Sequence, residues 1–112
     1  MKIEAMAKLV TIYVNSTDQW YGQPLYEAIV RACKEGNVAG VTVVRGVEGY
    51  GGSGRVHTTR LLELSEDLPV RIEFVDLVER VESVLATLEP MIREGLITIA
   101  DVQARRFLSD PK

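Results

Sequence analysis

Five of the nine glycines in this chain fall between Gly46 and Gly54, at the end of the β-branched run 40–47, GVTVVRGV. A segment so rich in glycine is a loop whose backbone uses conformations or close approaches that side chains forbid, so the run before it ends there as a strand. The break divides the chain into two halves. Residues 49–60, GYGGSGRVHTTR, also hold a serine, two arginines, two threonines and the only histidine. A ligand is to be sought there first.

In the first half, residues 8–14, KLVTIYV, are rich in β-branched side chains and tyrosine and read as a strand with Val10, Ile12 and Val14 on one face. Residues 15–22 follow as a loop. Pro24 suits a first helical position and Gly36 a C-terminal cap, with Leu25, Ile29, Ala32 and Cys33 at helical spacing on one side between them. Residues 40–47 are the second strand, and residues 56–64 extend a hairpin beyond the glycines.

In the second half, SEDLP is a turn and residues 70–75, VRIEFV, a strand. Asp76 and Glu79 have the spacing of a capping box for a second helix with an apolar stripe of Val78, Val81, Leu85, Leu88 and Ile92. Pro90 lies within that stripe and either kinks the helix or starts a fresh turn; Gly95 ends it. Residues 97–107 make a last strand. The order β-α-β-β-α-β is that of the α+β ferredoxin-like sandwich, an antiparallel sheet with both helices on one face. One domain over residues 1–112, with a core of about 8–107, fits a chain of 112 residues.

The face without helices should be polar if water covers it. Instead the first strand sets Leu9, Thr11 and Tyr13 opposite its apolar face, and the second sets Val41 and Val43 opposite Val44 and Val47. A partner is expected to cover that face, and a second copy of the chain is the economical one.

Composition narrows the function. Apolar residues at 46% with 26% charged are globular, not disordered, and a net charge of −3 argues against a nucleic-acid binder, which gains its affinity by neutralising phosphates. Cys33 is the single cysteine, so the expected compartment is reducing and cytoplasmic; with one cysteine and one histidine a structural zinc cluster is ruled out. The N-terminal MKIEAMAKLV lacks a signal-peptide core, and no run approaches the ~18 apolar residues of a membrane span.

Gly49, Gly51 and Gly54 satisfy G-x-G-x-x-G, the pattern of a dinucleotide-binding turn. Such a turn joins a strand to a helix, whereas RVHTTRLLEL after Gly54 offers no helix start. Catalysis also finds little support: Cys33 lies on the apolar side of the first helix, and spacing gives the histidine no partner. Glu66 and Asp67 sit in a turn. Trp20 and Tyr21, in an exposed loop, are better read as packing between subunits than as a stack for a base.

The segments PLYEAIV, AGVTVVRGVEGYGGSGRVHTTRLLELSEDLPVRIEFVD and EGLIT resemble the PII-like signalling proteins, and within them the branch known as domain of unknown function 190. The resemblance runs from about Lys8 to Phe107. It implies a ferredoxin-like homotrimer with open sheet faces turned inward, an adenine nucleotide (AMP, ADP or ATP) in clefts between subunits, and a loop after the second strand that contacts a partner protein, for which a membrane transporter is one candidate class. No cofactor is required, and no nucleic acid or direct membrane insertion is expected. By the same match Gly40 and Thr42 fall on a G-x-T at the adenine end of the cleft, Gly49 and Gly51 on the G-x-G that opens the loop, and Glu73 on the glutamate of the central strand.

The chain also departs from the PII pattern. Where those proteins carry a phosphate loop T-G-x-x-G-D-G-K, this chain reads EGLITIADVQ. Phosphate contacts then fall to other groups: Arg55, Arg60, Arg105 and Arg106 supply charge, and the loop of Tyr50, Gly51, Gly52, Ser53 and Gly54 supplies backbone N–H donors. His57 is either a phosphate contact or a structural residue. Glu73, facing away from Ile72 and Phe74, needs a partner, either an adenine amino group or Arg71 of a neighbouring chain. The expected function is a regulatory, non-enzymatic nucleotide binder. The alternatives are a structural trimer without ligand and a small nucleotide-acting enzyme.

Overall fold

The first strand, β1 (Lys2–Asn15), runs through the middle of the sheet and is twice as long as its sequence suggests. The structure, a computed structural model, describes residues 1–50 and 67–110 and the backbone of 57–58. The segment KIEAMA at the start of β1 is poor in strand-forming residues, and it is extended because it pairs with the last strand, β8 (Leu96–Phe107), from Lys2 opposite Phe107 to Ala7 opposite Val102.

After β1, the expected loop contains a miniature hairpin of β2 (Gln19–Trp20) and β3 (Gln23–Pro24). Its two linking residues, Tyr21 and Gly22, are left-handed at φ 49° and 79°, the connection that matches strand twist. Helix α1 (Leu25–Glu35) follows with Pro24 one position earlier than expected, as N-cap, and Gly36 closes it by donating its N–H to the Ala32 carbonyl. Leu25, Ala28, Ile29 and Cys33 are its buried side, with Ala32 packed partly against it.

The second expected strand is shorter than its apolar run: β4 (Thr42–Arg45) leaves Val41 before it and Val47 beyond it. The glycine-rich stretch is clasped by β5 (Glu48–Gly49) and β6 (His57–Thr58), paired antiparallel. The rest of the expected hairpin extension lies outside the described residues. Then come β7 (Pro69–Asp76) and α2 (Val78–Leu88), followed by a fresh 3-10 turn over Glu89–Met91 that begins one residue before Pro90.

The Asp76–Glu79 capping box does not form. Leu77 is the N-cap of α2, and no side chain caps it. Asp76 instead accepts N–H bonds from Leu77 at 2.8 Å and Ala39 at 3.0 Å, tying the end of β7 to the approach to β4. The helix stripe also shifts, since Val78 is exposed while Val84 joins Val81, Leu85 and Leu88 in the interior.

The four-stranded sheet has the order β4-β7-β1-β8, with every neighbouring pair antiparallel. This interleaves the two halves as a ferredoxin-like sandwich, because β7 enters between β1 and β4, the ends of the first β-α-β unit. Val10, Ile12 and Val14 of β1 and Val70, Ile72 and Phe74 of β7 form one buried cluster with both helices. Each such side chain contributes roughly 1.5–3 kcal/mol by leaving water. On the other face Tyr13, Val44, Val75 and Leu96 are exposed, so the apolar character expected there is real.

Burial pushes the Cys33 thiol up from 9.0 to about 11. In the unfolded chain that thiol ionises from about pH 9, so the folded state loses stability as pH rises from 9.0 to about 11. The expected stability difference between the wild-type protein and Cys33→Ala therefore shrinks by about 2 kcal/mol between about pH 7 and about pH 10.5, because holding off ionisation costs ~1.4 kcal/mol for each pH unit above the unfolded pKa. Denaturant titrations of both proteins at the two pH values measure it.

Candidate functional site

Strand alternation on β7 buries Ile72 and Phe74 and leaves Glu73 on the open face, half-buried. Glu73 stands opposite Thr42 of β4 on one side and Thr11 of β1 on the other, and Thr98 of β8 continues the row. A polar row thus crosses an otherwise largely aliphatic face. The partner that the Glu73 carboxylate needs comes from its own chain: Arg71 Nε lies 3.1 Å from Glu73 Oε1, two residues earlier on the same face.

A hollow of ≈ 460 Å³ opens over this end of the face, lined among others by Leu9, Gly40, Thr42, Glu73, Val75 and Arg106. It brings together Gly40 and Thr42, which the resemblance places at an adenine end, with Glu73, for which an adenine amino group is one of the two expected partners, and adds one of the four candidate arginines. Arg106 is six residues beyond Ala100, the register partner of Leu9, so alternation puts both on the open face. Arg105 does not join it, because alternation turns its side chain to the opposite face, where Nε lies 3.4 Å from Glu4 Oε1. Arg55 and Arg60 lie outside the described residues, as do Gly51, Gly52, Ser53 and Gly54.

The base of the glycine loop is described. Gly49 pairs with His57 across β5 and β6, and Tyr50 points into solvent. Gly46 donates its N–H to the Pro69 carbonyl at 2.7 Å, and a Cβ there would fall 2.7 Å from Pro69 Cγ. At Gly49 the same atom would be 3.1 Å away. These two glycines let the loop base lie against the start of β7. Gly40 is different: a Cβ there would meet nothing within 4 Å, so space inside the protomer does not require glycine.

Leu9 and Val75 are lining residues that the sequence reading did not name as site residues, although their alternation with Thr11 and Glu73 was visible. Trp20 packs partly against the core of its own chain, while Tyr21 is 88% exposed with its ring 4.7 Å from that of Trp20. Among the described residues no cluster of His, Cys, Asp and Glu could hold a metal ion, and no helix is long and apolar enough to cross a membrane. The buried Cys33 is a protonated thiol at neutral pH and a poor nucleophile.

The model of the domain of unknown function 190, described as "Uncharacterized ACR, COG1993", matches residues 7–104. The chain belongs to that family. A UPF0166 protein of Methanocaldococcus jannaschii is 38% identical over 96 residues, covering 85% of this chain and 88% of the relative. Among solved structures the fold is similar to CPII, a nitrogen regulatory PII-like protein from Thiomonas intermedia K12 described as bound to ADP, AMP and bicarbonate, at a TM-score of 0.69 and 19% identity over 91% of each chain. It is also similar to a putative PII-like signaling protein from Thermus thermophilus, with a TM-score of 0.65 and 19% identity over 90% of this chain and 91% of the other. The PII-like fold of this member of the domain of unknown function 190 is therefore shown.

The glycine contacts separate two substitutions. Gly46→Ala is expected to destabilise the protein by about 1–3 kcal/mol, since its methyl group must displace the Pro69 ring or part the loop base from β7. Gly40→Ala should change stability by less than about 0.5 kcal/mol. Urea unfolding of both variants measures the contrast.

Proposed function

We propose that this chain is a single-domain PII-like regulatory protein that binds an adenine nucleotide (AMP, ADP or ATP) in clefts between subunits, at the hollow around Thr42 and Glu73. It works as a homotrimer with open sheet faces turned inward, and the bound nucleotide orders the glycine-rich loop for a partner protein. The observation that carries the reading is the meeting of Gly40, Thr42, Glu73 and Arg106 around one hollow on the open face. Glu73 accepts the adenine amino group, and apolar Leu9 and Val75 flank the base. CPII, a protein of similar fold, is described as bound to ADP and AMP, which supports the ligand class.

In this reading Gly49, Tyr50, Gly51, Gly52, Ser53, Gly54, Arg55 and His57 form the phosphate end, with N–H groups and charge replacing the missing phosphate loop. Ordering a glycine-rich segment costs conformational entropy, which phosphate contacts offset, so nucleotide and loop are linked. The nucleotide is bound and released unchanged. A membrane transporter is the proposed class of partner, and the cytoplasm the proposed compartment.

Calorimetric titration tests the two ends separately. Arg55→Ala should weaken nucleotide binding about 10-fold to 150-fold, the equivalent of a charge-assisted hydrogen bond of ~1.5–3 kcal/mol, and leave adenosine unaffected. Glu73→Gln should weaken adenosine and nucleotide alike. Equal losses for adenosine and nucleotide in Arg55→Ala would remove the phosphate assignment, and turnover of the titrated nucleotide would make the protein an enzyme.

Assembly and ligand class are checked on the wild-type protein. Light scattering should report about three times 12.4 kDa. Mononucleotides should bind more tightly than NAD, and the reverse order would restore a dinucleotide turn at Gly49, Gly51 and Gly54.

A further inference from the structure

Glu73 is the only carboxylate among the residues that line the hollow, and it is held by a residue that does not line it. We infer that Arg71 is a positioning residue that gives the hollow its selectivity for a 6-amino purine over a 6-oxo purine. The inference rests on the reading that the hollow takes the adenine end of a nucleotide.

A glutamate side chain turns about three bonds, and an unrestrained carboxylate loses that freedom whenever it must meet a ligand in one orientation. Arg71 removes part of that freedom in advance. It stands two residues before Glu73 on β7, on the same face, with Nε 3.1 Å from Oε1. Its register neighbours on the open face are Tyr13 and Val44, neither of which bears a carboxylate, so Glu73 is its ion-pair partner among the described residues.

An ionised carboxylate only accepts hydrogen bonds, and it has more acceptor sites than one N–H group fills. With Oε1 held, Oε2 is available to the ligand. The 6-amino group of adenine donates to it, whereas the 6-oxo group of hypoxanthine opposes one acceptor with another. Guanidinium is planar and permanently charged, so it holds one carboxylate oxygen in place without itself touching the base. Arg71 therefore acts through Glu73.

The test is calorimetric titration of the full chain with AMP and IMP, in the wild-type protein, Arg71→Met, Arg71→Lys, Glu73→Gln and the Arg71→Met/Glu73→Gln double variant, with light scattering to check assembly. The wild-type protein should prefer AMP by at least about tenfold, since a site built to pair a hydrogen-bonding group rejects the analogue lacking it. Arg71→Met should lower that ratio several-fold, and Arg71→Lys should recover part of it. In the Glu73→Gln background the Arg71 substitution should change the ratio no further, as expected when one residue acts through another.

A wild-type AMP-to-IMP ratio in Arg71→Met overturns the inference and leaves the nucleotide site standing. A wild-type protein that binds neither nucleotide overturns the proposed function and the inference together. If Arg71→Met changes the assembled mass, the comparison passes to Arg71→Lys, where a ratio below that of the wild-type protein supports the role and an unchanged ratio counts against it.

Discussion

Everything in this fold hangs on the two antiparallel ladders that flank β1. From Lys8 to Asn15 the strand pairs with β7, and from Lys2 to Tyr13 with β8. Where both ladders overlap, Val10 and Ile12, followed by Val14 on the β7 ladder alone, are locked into the face that the helices cover, and Leu9, Thr11 and Tyr13 into the face they do not. A slip of one residue would exchange the two sets, exposing three nearly fully buried side chains. The hydrophobic core therefore fixes the register, and the register places Thr11 beside Glu73 and Thr42 beyond it. The candidate site is a consequence of core packing on the opposite side of the same sheet.

The open face combines two kinds of surface. Its aliphatic residues lose nothing by being covered, whereas the row Thr42, Glu73, Thr11 and Thr98 must keep hydrogen-bond partners when water leaves. Thr11 is already shielded at 8% exposure, and Glu73 has Arg71. Coverage by other copies of the chain satisfies the aliphatic part, and a ligand with donors and acceptors suits the polar end. The same face can thus serve assembly and binding without the two competing for the same residues.

Much of this was legible in the sequence because it follows from alternation. The strand through Ile12, the strand through Ile72 and both helices announce themselves by period, and so does the apolar character of the open face. The N-terminal half of β1 was not legible, since Ala, Glu and Lys have no preference for a strand and are extended only because β8 lies beside them. The Asp76 cap failed for a related reason: a carboxylate at a helix start has the right chemistry for several donors, and the nearby Ala39 and Leu77 N–H groups claim it. At the site, residue identity and resemblance pointed to Gly40, Thr42 and Glu73. The choice of Arg106 over Arg105 needed the sense of the ribbon, because adjacent residues on a strand face opposite ways and only the register says which way is inward.

The physical continuity between loop and site runs through Pro69. Gly46 is bonded to its carbonyl, both Gly46 and Gly49 lie against its ring, and Pro69 opens the strand that carries Arg71 and Glu73. Proline has a fixed φ and no N–H to give, so at this position it offers the loop base a rigid surface and a single acceptor. The base of the loop is anchored to the element that holds the Glu73 carboxylate. Under the proposed function, a nucleotide that engages Glu73 and the glycine N–H groups together spans two parts of one continuous stretch of backbone. The linkage between ligand and loop then needs no distant relay, since the strand that presents Glu73 is also the strand against which the base of the loop lies.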